Sequence, residues 1–346
     1  MAQSIPSAQI PERLARVPSF PPIAIKVLQL LSDPSVDFSQ IPQLISSDPA
    51  LSARVLQYAN SPLYGVAHQI TNVRHALTML GSDQLRALTA TAASDIYLRG
   101  KLQIEELRRC WTHTLACAVL SEGLAHACRA HLDEAYTSGL MHDIGRLSMV
   151  VAYPSEYVEA MRHAAAACID LIDYEREKFG IDHAEAGRLL SEKWHLPNNF
   201  CIIAGRHHDI PDPHEIDLLT LVHLACRLAD ALGFEVTVPL RPSSVDEILA
   251  ILPPAVRQRL PASEEEFREL VLRRISPFES TELECSDNAI STEVSEHQRP
   301  SVSPVDDMAP FRPDPVPAMP GSRFWPVIVL LGVALAGLVL VLSDWH

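Results

Sequence analysis

The residues with the clearest chemical potential are His142 and Asp143, adjacent in the stretch TSGLMHDIGRLSMVV. Further nitrogen and oxygen donors recur on either side: His113 in CWTHTL, His183 in FGIDHAEAG, the pair His207–His208 in AGRHHDIP, and Asp230 in RLADALG. Neutral imidazole and ionised carboxylate are the usual protein ligands of divalent Zn, Fe, Mn or Ni. A two-metal centre draws such ligands from several helices and needs one carboxylate that bridges both ions, and Asp143 is the natural candidate for that role. A single His-Asp dipeptide says little. The ordered set H…HD…H…HH…D points to a centre for one or two divalent ions. The competing reading is a relic pair that hydrogen-bonds inside a helical core and binds nothing. His207 and His208 would point about 100° apart on a helix, so they are expected to serve different ions. Glu175 is a candidate to orient a ligating histidine by hydrogen bonding. His68, His75, His126, His131, His163 and His195 fit no ligand pattern and read as surface or capping residues.

The elements that must position these groups are helices. Apolar residues recur at helical spacing in AIKVLQLLSD, IPQLISSDPALSARVLQYAN, VRHALTMLGSDQLRALTATAAS and CWTHTLACAVLSEGLAHACRA, whereas strand signals are few. Asp48-Pro49 places a capping carboxylate before a proline at the first helical position. Gly81 closes one helix, and Ser82 or Asp83 can cap the next. Asn60-Ser61-Pro62 ends a helix and begins a turn. Gly139 and Gly145, on either side of the His-Asp pair, are read as sites of close helix packing. The expected fold class is all-α: a compact helical bundle followed by a disordered linker and one transmembrane helix. No catalytic nucleophile is singled out.

At these residues the chain resembles the HD superfamily of metal-dependent phosphohydrolases, and within it the HDOD branch. The resemblance runs through VPSFPPIAIKVLQLLSD, SSDPALSARVLQYANSPLYG and ITNVRHALTMLGSDQL, then GLMHDIGRL, EREKFGIDHAEAGRLLSEKWHLP and His207-His208. The Asp48-Pro49…Asn60-Ser61-Pro62 run is its most specific part. It implies an HDOD-like domain over residues 10–276, with an N-terminal helical half (10–100) and an HD-like half (101–276). It further implies a signalling or regulatory module that works through other signalling proteins. The alternative it implies is a metal-dependent phosphohydrolase or phosphodiesterase acting on a nucleotide or cyclic dinucleotide. Two departures from the cyclic-di-GMP phosphodiesterase branch stand against that alternative. Arg146 follows HDIG where that branch has Lys, and the loop HDIPDPHEID lacks a Gly-Tyr-Pro motif. Arg146 remains a candidate phosphate ligand, since a guanidinium binds phosphate in bidentate fashion.

Composition narrows the rest. A net charge of −15 over 346 residues argues against a nucleic-acid binder, which needs clustered Lys and Arg. The seven cysteines include no C-x-x-C pair and read as buried thiols of a reducing compartment, so a zinc–thiolate site is not expected. Residues 1–9 form an N-terminal tail without the apolar core of a signal peptide. Residues 277–323 are acidic and rich in Pro and Ser, a flexible linker. The run from Phe324 to Leu342 carries no charge and spans roughly 28 Å as a helix, close to a hydrocarbon thickness. With Trp325 and Trp345 near its ends and a tail at 343–346, it reads as a single-pass C-terminal anchor. Arg323 places the folded body on the cytoplasmic side, which for a bacterial chain is the inner membrane.

Overall fold

The computed structural model describes residues 10–32, 38–212 and 215–279. Among them every regular element is helical and there is no strand. The N-terminal half comprises α1 (Glu12–Ala15), α2 (Pro22–Leu31), α3 (Ile41–Ser46), α4 (Pro49–Ala59) and α5 (Val73–Leu98). The second half comprises α6 (Glu105–Cys128), α7 (Ala135–Met141), α8 (Ile144–Ala152), α9 (Pro154–Ala167), α10 (Leu171–Phe179), α11 (His183–Lys193), α12 (Asn198–Arg206), α13 (Leu218–Ala231), α14 (Val245–Leu249), α15 (Pro254–Arg257) and α16 (Glu264–Glu279).

Local chemistry sets these boundaries. The Asp48 carboxylate accepts from the Ala50 and Leu51 amides at 3.0 and 3.1 Å, and Pro49 sits where its missing N–H is not needed. Gly81, at φ 83°, has a backbone that residues with a Cβ rarely adopt, and it breaks α5 into two segments. Asn60 does more than end α4. Its amide donates to the Leu56 and Ile70 carbonyls and its oxygen accepts from the Ile70 amide, which pins the following loop to the helix.

The long helix α6 is buried along most of its length and forms the spine of the second half. It packs against α7 and α13, while α11 packs against α8 and α12. Two glycines set the closest of these approaches. A Cβ at Gly139 would lie 2.7 Å from the Cys117 carbonyl oxygen on α6, and one at Gly145 would lie 2.0 Å from the His183 carbonyl oxygen on α11. The glycines flanking the His-Asp pair therefore press it between α6 and α11, so close packing is the means by which the site is assembled. The last helix continues through Pro277 to Glu279, beyond the expected start of the linker, because Phe278 is buried edge-on against Tyr58 with ring centroids 4.7 Å apart. No helix among the described residues is long and apolar enough to cross a membrane. The expected span from Phe324 to Leu342 and most of the expected linker lie outside the described residues.

Candidate metal centre

His142 caps α7, and Asp143 follows at φ −103°, ψ 21°, a non-helical kink from which α8 starts. Both side chains are fully buried. His183 opens α11, and His207 closes α12 with His208 behind it. The Asp143 Oδ1 atom lies 3.5 Å from His183 Nε2 and 3.8 Å from His207 Nε2. The donor atoms of His142, Asp143 and His207 all lie within 4.8 Å of one another, and so do those of His183, His207 and His208. His207 thus belongs to both sets and His208 to the second only; α12 ends at Arg206, and both residues lie in the turn beyond it. Their rings are 4.0 Å apart.

Four of the imidazoles are held from behind. The Nδ1 of His142 bonds the Gly139 carbonyl at 2.6 Å, that of His207 the Ala204 carbonyl at 3.0 Å, and that of His113 the Phe234 carbonyl at 3.0 Å. His183 donates from Nδ1 to Glu175 Oε2 at 2.7 Å, and the same oxygen accepts the His183 amide at 2.8 Å. A carbonyl or carboxylate behind Nδ1 is the usual support for a histidine that ligates through Nε2. In three buried groups the forward atom has no hydrogen-bond partner: His142 Nε2, Asp143 Oδ1 and His207 Nε2. Orphaned buried acceptors are costly and rare, so three converging ones fit a cation. Protonation states agree with this. Burial would raise the Asp143 carboxyl, but the Arg146 cation beside it holds it well below the usual carboxylate range. Burial, then the neighbouring His208 and His142, keep His207 neutral.

Arg146 is engaged inward. Its Nε donates to Asp143 Oδ2 at 2.6 Å, Nη1 to the Tyr157 hydroxyl at 3.2 Å, and Nη2 to His183 Nε2 at 2.8 Å, with Glu175 Oε1 3.7 Å away. Tyr157 in turn donates to Glu175. The fork of this arginine is thus engaged by Asp143, Tyr157 and His183, and Arg146 also lines the adjoining cleft. Arg146 donates to Asp143 Oδ2, while Oδ1 has no hydrogen-bond partner and faces the histidines.

Asp230 stands apart from these groups. Its carboxylate faces His113 Nδ1 at 3.5 Å, its side chain is 32% exposed, and burial followed by the charge of Cys226 pushes its pKa up to about 7. Of the cysteines, Cys110 is an inert core thiol, pushed up by burial to about 12. Cys128 is half-buried and Cys168 exposed, while Cys285 lies outside the described residues. Cys117 and Cys226 are different, and sequence reasoning missed them. Their sulfurs lie 3.4 and 3.6 Å from His113 Nε2. Cys117 is one turn after His113 on α6, and Cys226 one turn before Asp230 on α13, a four-residue spacing legible in the sequence. A hydrogen bond from Cys117, and His113 beside it, hold the Cys226 thiol well below its ordinary value against burial, while burial raises Cys117. Burial would lower His113, but Cys226 outweighs it and raises the imidazole to about 9. His223, also missed, is buried and bonds the His207 carbonyl through Nδ1 at 2.9 Å. Of the six histidines read as peripheral, only His75 is part-buried and the other five are exposed.

A cleft of about 1050 Å³ adjoins the centre; its lining includes His113, Arg146, His208, His223, Cys226 and Asp230, whereas His142, Asp143 and His207 lie buried behind it. With this geometry in place, comparison with known proteins is informative. The HDOD domain family matches residues 17–210, more than half of the chain. The chain belongs to the HDOD domain family. A solved HDOD domain protein of unknown function from Geobacter sulfurreducens is 26% identical, with a TM-score of 0.60 over 77% of this chain and 92% of that one. A protein of Shewanella amazonensis SB2B, provisionally named a phosphohydrolase, shares the fold at 22% identity, with a TM-score of 0.57 over 78% of this chain and 94% of that one. An uncharacterised protein of Treponema pallidum is 25% identical over 211 residues, 60% of this chain and 41% of that protein. Vibrio cholerae cyclic di-GMP phosphodiesterase CdgJ is 25% identical over 118 residues, 34% of this chain and 27% of that protein. The chain thus spans less than half the length of these two relatives.

Proposed function

We propose that this chain is a regulatory HDOD module that loads one divalent cation at His142, Asp143 and His207 and acts by contact with signalling proteins. The observation that carries the reading is the set of three buried, converging donor atoms without hydrogen-bond partners. Arg146 supports a single ion, because it takes up both Asp143 Oδ2 and the forward nitrogen of His183. Contact with partner proteins is supported by the mouth of the cleft. Ile169, Ile210, Val238 and Leu240 line it and are 38%, 94%, 72% and 52% exposed, an apolar concentration of the kind that marks binding surfaces. The uncharged run from Phe324 to Leu342 supports a membrane tether, with the helical body on the cytoplasmic face.

A second reading, a phosphodiesterase acting on a cyclic dinucleotide, is favoured by one observation: a cleft large enough for such a ligand adjoins the centre and is lined by His208 and Arg146. The relatedness to CdgJ points the same way. A divalent ion held there would supply Lewis-acid polarisation of a phosphoryl oxygen. This chain's own residues would position the ion through Asp143 and His207, while His208 and Asp230 face the cleft.

The deciding experiment measures metal content and cyclic di-GMP turnover in the full chain and in a variant carrying His142→Ala and Asp143→Ala together. About one ion per chain, lost in the variant, with no turnover, is the expected result. A chain that takes up no divalent ion refutes the centre, and metal-dependent turnover replaces the first reading with the second.

A further inference from the structure

Cys117 and Cys226 are the buried nucleophilic groups that the reading above leaves unused. They come from helices far apart in sequence, yet both sulfurs lie against one nitrogen, His113 Nε2, at 3.4 and 3.6 Å. His142 Nε2, buried and without a hydrogen-bond partner, completes a set of four donors that all lie within 4.8 Å of one another. Both histidines have Nδ1 anchored on a backbone carbonyl, Phe234 for His113 and Gly139 for His142. The four side chains are at most 7% exposed.

We propose that His113, Cys117, His142 and Cys226 form a four-coordinate site for a thiophilic divalent cation, zinc foremost. A tetrahedral zinc with bonds of about 2.3 Å to sulfur and about 2.05 Å to nitrogen sets each nitrogen about 3.6 Å from each sulfur. The two measured separations already have that length. The widest pair in the set has to close by about 1.5 Å at most. Two thiolates balance a divalent charge, so the filled site is neutral and tolerates burial; the Cys117 thiol and the protonated His113 imidazole each release a proton to solvent as they ligate. Sulfur donors favour zinc over manganese or magnesium, which prefer oxygen.

The consequence is exclusion. His142 offers a single lone pair at Nε2, so an ion held by the sulfurs takes His142 away from Asp143 and His207. The thiolate site and the Asp143 site are alternatives, chosen by the softness of the ion. This assignment does not depend on the regulatory reading and holds even if Asp143 binds nothing.

The test uses the full chain loaded with zinc. X-ray absorption at the zinc edge is expected to show two sulfur neighbours at about 2.3 Å and two nitrogen neighbours at about 2.0–2.1 Å. Cobalt substitution is expected to give a near-ultraviolet sulfur-to-cobalt charge-transfer band that the Cys117→Ser, Cys226→Ser double variant lacks. Manganese bound by the wild type is expected to leave as zinc enters. Asp143→Asn is expected to lose manganese and keep sulfur-ligated zinc, so failure at Asp143 and failure at the sulfurs are told apart. A zinc shell without sulfur, a chain that takes up no zinc, or a charge-transfer band that survives in the double variant overturns the proposal. If the double variant does not fold, the wild-type absorption spectrum decides alone.

Discussion

Arg146→Met tests what limits the centre to one ion. The substitution keeps a long side chain and removes the cation. In the wild type a second ion on the His183–His208 side, about 2.1 Å from His183 Nε2, would lie no more than about 5 Å from Arg146 Nη2, which sits 2.8 Å from the same nitrogen. At an effective dielectric constant of 20, a divalent ion and a guanidinium repel each other by about 7 kcal/mol at that distance, roughly five orders of magnitude in affinity. Removing Arg146 also frees Asp143 Oδ2 and leaves His183 Nε2 with His208 Nε2 as its remaining partner, at 2.8 Å. The apo variant bears the other side of the change, since Asp143 and Glu175 become buried carboxylates without their cation. Such a loss costs about 3–5 kcal/mol, a fall of roughly 10 °C or more in Tm for a body of this size. The assay is metal analysis after equilibration with manganese, paired with thermal melts with and without the ion. The expected outcome is one ion per wild-type chain and two per variant chain, with manganese restoring much of the lost stability. A variant that still takes one ion, or a wild type that already takes two, refutes the argument that Arg146 occupies the second position.

Glu175→Gln keeps the shape and removes the charge that receives His183 and Tyr157; it is expected to lower stability by about 3 kcal/mol and to weaken metal binding 10–100-fold if His183 joins the ion, read by melting and by chelator competition. Gly145→Ala puts a Cβ 2.0 Å from the His183 carbonyl oxygen, so α8 and α11 must part. A loss of about 3 kcal/mol or more is expected, while Gly187→Ala, whose nearest contact is the Ala204 side chain at 3.1 Å, is milder; equal melting of both variants would contradict this packing. Asp230 has a folded-state pKa of about 7 against an ordinary 3.8. Its stability contribution is therefore complete below the lower value and is lost as pH rises through the higher one. Asp230→Asn in the metal-free chain is expected to gain on the wild type progressively from about pH 4 to about pH 7 and to hold that gain above, and a pH-independent difference would show that this carboxyl is not raised.

The all-α architecture was legible because it rests on local rules. The 3.6-residue periodicity, the Asp48 cap and the break at Gly81 each act within one or two turns. The histidines and Asp143 were legible as a set because their types are unusual for a helical core. What stayed hidden depends on where separate helices meet. Cys117 and Cys226 looked like ordinary core thiols, and only the packing of α13 on α6 brings both sulfurs to His113. The fate of Arg146 depends on α9 and α10 bringing Tyr157 and Glu175 to it. The grouping of His207 with His208 depends on α12 ending one residue before them.

The Arg146 position joins the sequence comparison to the geometry. A Lys there would be a single point charge with a flexible stem, able to pair with one carboxylate at a time. The arginine fork instead reaches Asp143, Tyr157 and His183 together and stands beside Glu175. The departure from the phosphodiesterase pattern therefore does more than exchange one cation for another. It engages Oδ2 of Asp143, the carboxylate expected to bridge two ions. A protein cation then takes the place that a second metal would need. On the proposed reading the buried cluster keeps the donors of a metal centre while Arg146 stands against a second ion of the kind phosphoryl chemistry uses, which favours a one-ion regulatory role over turnover.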